Sequence, residues 1–115
     1  MIEVILRDYL LEELETVPVY LEYPQEVPEE FVLLKKIDAG KRDHVDAATF
    51  RIESRAHSLY NAAVLSEKVK DALFNAISLP SISSSMLGGE RQGTDTSNNL
   101  YQYDLTYNFY YYQEE

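Results

Sequence analysis

The C-terminal segment, residues 100–112, constrains the fold more than any other part of the chain. Its side chains alternate between large hydrophobic and polar residues, the period of two that is typical of a β-strand. At about 3.3 Å per residue this strand would extend roughly 43 Å. That is long for a chain of 115 residues. One face of the strand carries the large side chains Tyr101, Tyr103, Leu105, Tyr107, Phe109 and Tyr111.

Tyrosines are concentrated in this strand, and they predict a protein interface. Most of the odd-numbered rings are expected to be core, but Tyr110 and Tyr112 fall on the otherwise polar face. Exposed tyrosine is enriched at interfaces, and a strand that outruns its domain has backbone groups that a neighbouring chain could pair. Stacking of single-stranded nucleic acid is the competing use of such rings. The predicted interface also includes Glu90 and Arg91 at the end of the preceding strand, and Thr94 and Asp95 in the loop that follows it.

The hydrophobic periods elsewhere predict a single α+β domain spanning residues 1–115. Its elements are expected in the order α-β-β-β-α-β-β, forming a mostly antiparallel sheet with the helices packed on one face. Ser58 is the expected N-cap of the second helix, and Gly88-Gly89 mark a bulge or bend. The predicted ranges are a helix at 2–15, strands at 17–22, 31–38 and 46–57, a helix from 58 to about 77, a strand at 81–92, and loops at 23–30, 39–43 and 93–99.

The third strand is expected to have one wet face. Its residues Ala48, Phe50, Ile52, Ser54 and Ala56 alternate with polar ones. Such alternation is typical of an antiparallel sheet that faces solvent on one side. The residues predicted to face solvent are Thr49, Arg51, Glu53, Arg55 and His57.

The charge is strongly acidic and uneven. The net charge is −10, and residues 1–30 contain nine acidic side chains against Arg7 alone, a net of −8. Sequence-specific nucleic-acid binding depends on a basic footprint, so that class of function is not expected. The acidic excess can serve solubility, or it can keep a surface from adhering to DNA or anionic lipid.

Several other classes are disfavoured by composition. The chain has no cysteine, which removes disulfides, zinc–thiolate sites and thiol catalysis. No apolar run approaches the roughly 20 residues of a membrane span, and the N-terminus does not look like a signal peptide. A soluble protein made in the cytoplasm is therefore expected.

No constellation of residues predicts catalysis, a cofactor or a metal. Asp43, His44 and Asp46 could be imagined as ligands, but a polar turn that enters a strand explains them equally well. His57 is expected to face solvent. Ser83-Ser84-Ser85 lacks the glycines of a nucleophile elbow, and Gly88–Gly93 lacks the Lys-Ser/Thr of a phosphate loop. A protein that is not an enzyme is expected, without cofactor.

The order of elements and the local sequence resemble the tail terminator and tail-completion (head–tail joining) proteins of long-tailed bacteriophages. The resemblance covers nearly the whole chain. It begins with the first helix and Val17-Pro18-Val19-Tyr20-Leu21-Glu22, followed by Pro28-Glu29-Glu30-Phe31-Val32-Leu33-Leu34. It continues through Ala48–Ser54 into Ser58–Ala63 and ends with the alternating C-terminal strand.

This resemblance implies a structural virion protein at the head–tail junction. Members of the family form hexameric rings that cap the tail tube and join it to the head connector, and DNA passes through the central channel without specific binding. An acidic channel would let DNA slide, and Glu12, Glu13 and Glu15 are the residues proposed to line it. The alternatives are a head-closure or connector protein of the same junction, or an acidic protein-binding module of the DNA-mimic type.

Overall fold

The structure, a computed structural model, describes residues 1–42, 45–95 and 99–112. For Arg42 and Asp95 it describes the backbone only. No helix among these residues is long and apolar enough to cross a membrane. The elements are α1 (Ile2–Leu14), β1 (Val19–Tyr20), β2 (Glu30–Arg42), β3 (Val45–Ala56), α2 (Leu59–Phe74), a short 3-10 helix (Ala76–Ser78), β4 (Ile82–Asp95) and β5 (Leu100–Tyr111).

The described strands form one sheet in the order β1-β2-β3-β5-β4. The pairs β2–β3, β3–β5 and β4–β5 are antiparallel, whereas the short β1 runs parallel to β2. Both helices pack on one face, which we call the helix face. The predicted α+β class, element order and mostly antiparallel sheet are confirmed.

The main core lies between the helices and the helix face. Alternate residues of the central strands point into it, and Ile52 of β3 lies opposite Leu105 of β5. Phe50 and Phe109 meet there edge to face at 5.8 Å between ring centroids. Leu6 and Leu10 of α1 and Leu65 and Leu73 of α2 are fully buried in the same core. Burying such side chains contributes roughly 1.5–3 kcal/mol each, so this layer is the main source of stability.

Local interactions determine where the helices begin and how they meet. The Ser58 hydroxyl accepts a hydrogen bond from the Asn61 backbone N–H at 3.0 Å, so the predicted N-cap of α2 is confirmed. The Tyr9 hydroxyl donates to the Ala72 carbonyl at 2.6 Å and ties α1 to α2. Burial of Tyr9, and then the nearby charge of Glu13, raise the pKa of its hydroxyl.

The C-terminal strand does not outrun the domain. β5 pairs with β3 from Tyr101 to Tyr111 and with β4 from Leu100 to Tyr111, so it lies in the middle of the sheet. The expectation of unpaired backbone groups on this strand is therefore wrong. β5 is long without protruding because its neighbours β3 and β4 are at least as long, with 12 and 14 residues. One open edge of the sheet belongs to β4, which has β5 as its one described neighbour.

Other boundaries differ from the predicted ones where turn residues stay in strands. The predicted strand over 17–22 is limited to Val19–Tyr20. Ala39–Lys41 continue β2 although a turn was expected there, and the rest of that turn, Asp43, lies outside the described residues. Gly93 and Thr94 likewise continue β4 into the predicted loop. The predicted bulge at Gly88-Gly89 is confirmed by a register shift between Leu87 and Gly89.

Candidate assembly surfaces

Tyr110 and Tyr112 lie near the end of β5, on the face opposite the helices, which we call the open face. Tyr110 pairs with Ala47 of β3 and Ser84 of β4, and its side chain is half-buried. Tyr112 follows the strand with 55% of its surface exposed, and its backbone N–H donates to the Ser81 carbonyl. Tyr112 therefore presents a free aromatic surface, whereas Tyr110 is already partly covered by its own sheet.

The other predicted interface residues share the open edge strand β4. Glu90 points to the helix face and accepts a hydrogen bond from Lys70 of α2 at 2.9 Å. Arg91 points to the open face, 3.6 Å from the Asp104 carboxylate. Thr94 is exposed, and the side chain of Asp95 lies outside the described residues. Both sides of the edge strand thus display charge.

The acidic residues proposed to line a channel lie at the C-terminal end of α1. Glu12, Glu13 and Glu15 are all exposed. Glu15 ends the helix with φ of 60°, and its N–H bonds the Leu11 carbonyl. Glu13 and Glu15 border a shallow depression of about 340 Å³ whose other wall is α2, with Lys68 and Asp71. These carboxylates are thus on the helix side of the molecule, away from the open face.

The predicted wet face of β3 contains a buried charge network. Glu53 is 2% exposed and Arg55 is 7% exposed, so the expectation that these two face solvent is wrong. The Glu53 carboxylate is in contact with Arg55, and it lies 3.2 Å from both Lys35 Nζ and Arg51 Nε. Burial alone would raise the pKa of Glu53, but the hydrogen bond from Arg55 and the positive charges of Arg55 and Lys35 outweigh it. The pKa of Glu53 therefore lies below its ordinary value.

A small second core buries this network at one end of the open face. Phe31 and Leu33 of β2 and Leu100 of β5 are buried there. The Arg55 guanidinium lies over the rings of Tyr23 and Phe31, at 5.1 and 5.9 Å from their centroids. The segment between β1 and β2 supplies Tyr23, so a loop covers part of a face that strand alternation alone assigns to solvent.

Exposed apolar side chains accompany the β4 edge, and the sequence patterns did not single them out. Phe74 is 79% exposed and Ile77 is 59% exposed, at the C-terminal end of α2 and in the 3-10 helix. Met86 and Leu87 of β4 are 59% and 42% exposed. α2 lies close to β4 here: the Ser85 hydroxyl of β4 donates a hydrogen bond to the Leu73 carbonyl of α2 at 2.9 Å. The predicted helix from 58 to about 77 would include Ile77, but α2 ends at Phe74.

The positions considered for chemistry do not converge. The described residues hold no group of three or more His, Cys, Asp or Glu placed to bind a metal ion. Asp43 and His44 lie outside the described residues, and Asp46 lies opposite Lys41 across the hairpin. His57 is exposed at the end of β3, as expected. Ser83 and Ser85 donate to backbone carbonyls of Tyr110 and Leu73.

No protein-family model matches the sequence, and no curated protein matches it. Among solved structures, the chain is similar to a chain from the virion of a native gene transfer agent (GTA) particle. The two share 17% sequence identity, and the match covers 89% of this chain and 83% of that chain with a TM-score of 0.66. At this identity the likeness concerns the fold: the chain folds as a component of that virion does.

Proposed function

We propose that this protein is a structural virion component that caps a phage tail tube and joins it to the head. In this role it forms a homo-oligomeric ring, hexameric by the family resemblance, at the head–tail junction. Its partners are copies of itself, the tail tube protein and the head connector or closure protein. DNA passes through the ring without specific binding, and the protein catalyses no reaction.

The observation that carries this proposal is the shared fold with a chain of the GTA virion, over most of both chains. A fold alone does not determine a function. Here, however, it agrees with the independent resemblance of Val17–Glu22, Ala48–Ser54 and the C-terminal strand to tail terminator proteins. Two different kinds of likeness thus favour the same assembly.

The surfaces of the molecule agree with an assembly role. An open edge strand, with apolar Phe74 and Leu87 exposed beside it, is what a subunit needs in order to join a neighbour. The net charge of −10 suits a ring through which a polyanion must slide and not stick. These features also fit a connector protein of the same junction. They therefore support a place at the head–tail junction and do not separate a terminator from a connector.

Deleting the gene from the particle that encodes it tests the function. Without a terminator, nothing ends polymerisation of the tube and nothing attaches the tube to the head. We therefore expect electron micrographs to show DNA-filled heads beside unattached tubes of uncontrolled length. Restoring the gene in trans is the control and should return joined particles. Fully joined, infectious particles from the deletion strain would contradict the proposal.

The same experiment separates the terminator from the closure protein. A closure protein seals the head, so its loss should leave tubes of normal length beside heads that have lost their DNA. Overlong tubes with stable filled heads favour the terminator. Tube length and head DNA content are read from the same micrographs.

A further inference from the structure

The five-stranded sheet has two open edges, and both are long. β4 is paired along one side only among the described strands. On the opposite edge, β1 covers β2 only at Val32 and Leu33, so the outer side of residues 34–42 has no described partner strand. A backbone ladder over residues 34–42 would be roughly 30 Å long at about 3.4 Å per residue. Each edge therefore offers a row of N–H and C=O groups without a described strand partner. The Ala39 N–H donates to the Asp38 carboxylate at 2.9 Å instead.

The directions of the strands permit the two edges to pair with each other in neighbouring copies. β2 and β3 are antiparallel, as are β3 and β5 and then β5 and β4. β2 and β4 consequently run in opposite directions within one sheet. Two copies placed side by side in the same orientation would bring β4 of one against β2 of the next as an antiparallel pair. Such head-to-tail contacts generate rings when the rotation closes.

Apolar side chains lie beside both edges. Next to β2 lies a depression of about 470 Å³ that is lined by apolar Met1, Leu21, Leu34 and Ile37 together with charged Glu3, Lys35 and Lys36. Next to β4, the exposed apolar side chains are Phe74, Ile77, Met86 and Leu87. One edge thus has a partly apolar hollow, and the other has exposed apolar side chains that could enter it. Apolar area removed from water would stabilise this contact by roughly 25 cal/mol per Å².

The charges beside the two edges also differ in sign. On the β2 edge, residues 34–42 contain Lys35, Lys36, Lys41 and Arg42 against Asp38 alone, a net of +3. On the β4 side, Glu67 and Glu90 share the ammonium of Lys70, a net of −1. Like-charge contact therefore disfavours pairing of β2 with β2 and of β4 with β4, whereas the mixed pair is favoured.

From these features we infer that β4 of one copy pairs antiparallel with residues 34–42 of β2 of the next copy, so that the sheet continues from subunit to subunit. The inference rests on the proposed ring and names the surfaces that build it. The occupant of each edge is a second copy of this chain.

Cysteine cross-linking tests this pairing, because the chain has no cysteine of its own. Leu87 and Ala39 both lie on the helix face of their strands, opposite Tyr107 and Ala48. Leu87→Cys combined with Ala39→Cys, and separately with Lys41→Cys, should give a ladder of disulfide-linked multimers under mild oxidation. The ladder should end at the subunit number of the ring. Each single variant should stay monomeric on a denaturing gel.

Two outcomes would overturn the edge pairing. Dimers from Leu87→Cys alone would mean that β4 pairs with β4. Rings in electron micrographs, with no cross-link in either double variant, would mean that other surfaces hold the ring; the proposed function would then survive and this inference would not. Absence of rings, even with tail tube present, would count against both.

A matched pair of lysine variants gives a second readout. Met86→Lys with Leu87→Lys places charge on the open edge, a substitution that blocks strand pairing without entering the core. We expect loss of rings in micrographs with an unchanged thermal unfolding curve. Leu11→Lys is the control, since Leu11 is 38% exposed on α1 and belongs to neither edge. Rings that persist in the β4 variant would contradict the inference.

Discussion

At the scale of single residues, Glu53 is a buried carboxylate that is paired with three cationic side chains. Its side chain is 3% exposed, with Lys35 and Arg51 at 3.2 Å and Arg55 in contact. A buried charge of this kind stabilises a fold only while its partners remain, because an unpaired charge in the interior costs several kcal/mol. Glu53 therefore links β2 to β3 on the open face, beside the small second core of Phe31, Leu33 and Leu100.

Replacing this carboxylate should destabilise the protein in a pH-dependent way. The pKa of Glu53 is lowered from 4.5 on folding, so its contribution is present above that value and lost as the pH falls through the folded-state pKa. We expect Glu53→Gln to lower the free energy of unfolding by about 3 kcal/mol at about pH 7. The difference from wild type should narrow at about pH 3.5, below the ordinary carboxyl pKa. Urea denaturation at both pH values measures it.

Glu22→Gln is the matched control, since Glu22 is exposed. Surface substitutions of this kind usually change stability by less than about 0.5 kcal/mol. If Glu53→Gln lost the same free energy at both pH values, the electrostatic account of the network would be contradicted.

At the scale of elements, β5 organises the sheet because it is central and paired on both sides. Tyr107 and Phe109 stack at 5.8 Å on the helix face, and burial raises the pKa of Tyr107. Near the end of the same strand Tyr110 lies on the open face, and Tyr112 follows the strand. Core and candidate interface thus occupy opposite faces of one strand.

This division gives β5 two separable roles. Phe109→Ala should cost about 3–5 kcal/mol of stability, because it removes a fully buried ring. Tyr110→Ser combined with Tyr112→Ser should leave a folded protein that joins tails poorly, because Tyr112 is largely outside the core. Thermal unfolding measures the first effect and complementation of the deletion strain measures the second. Normal tail joining by the double variant would contradict an interface role for these tyrosines.

The sequence predicted which segments form helices and strands, but not which strands lie next to each other in the sheet. The period of two in 100–112 and the hydroxyl of Ser58 act locally, so β5 and the start of α2 were predicted nearly to the residue. Which strands flank β5 depends on contacts far apart in the chain, and a long strand was therefore mistaken for a protruding one. Alternation in β3 likewise could not show that Tyr23 would cover Arg55.

The sequence identified charged residues of the candidate surfaces but not the exposed apolar residues beside them. Glu90 and Arg91 were predicted for the interface and lie on the open edge. Phe74 is the last residue of α2 and is exposed there, whereas Ile77 is exposed because α2 ends at Phe74 and does not continue to about residue 77. A signal was available in Asn75, whose side-chain amide donates to the Asp71 carbonyl at 3.1 Å in the last turn of α2.

At the scale of the whole molecule, the account describes a subunit whose two edges and two faces differ. The helix side carries the acidic residues Glu12, Glu13 and Glu15, and the open face carries the cluster around Glu53. Such a subunit suits head-to-tail assembly, in which each copy presents different surfaces to its two neighbours. The central claim is that this assembly is a ring at the end of a tail tube.

Electron microscopy of tail tubes incubated with the purified protein tests that claim most directly. The account predicts a ring with an open axial channel at one end of each tube, and tubes that no longer lengthen when more tube protein is added. Tubes with both ends bare, in the presence of protein that stays monomeric by light scattering, would contradict it.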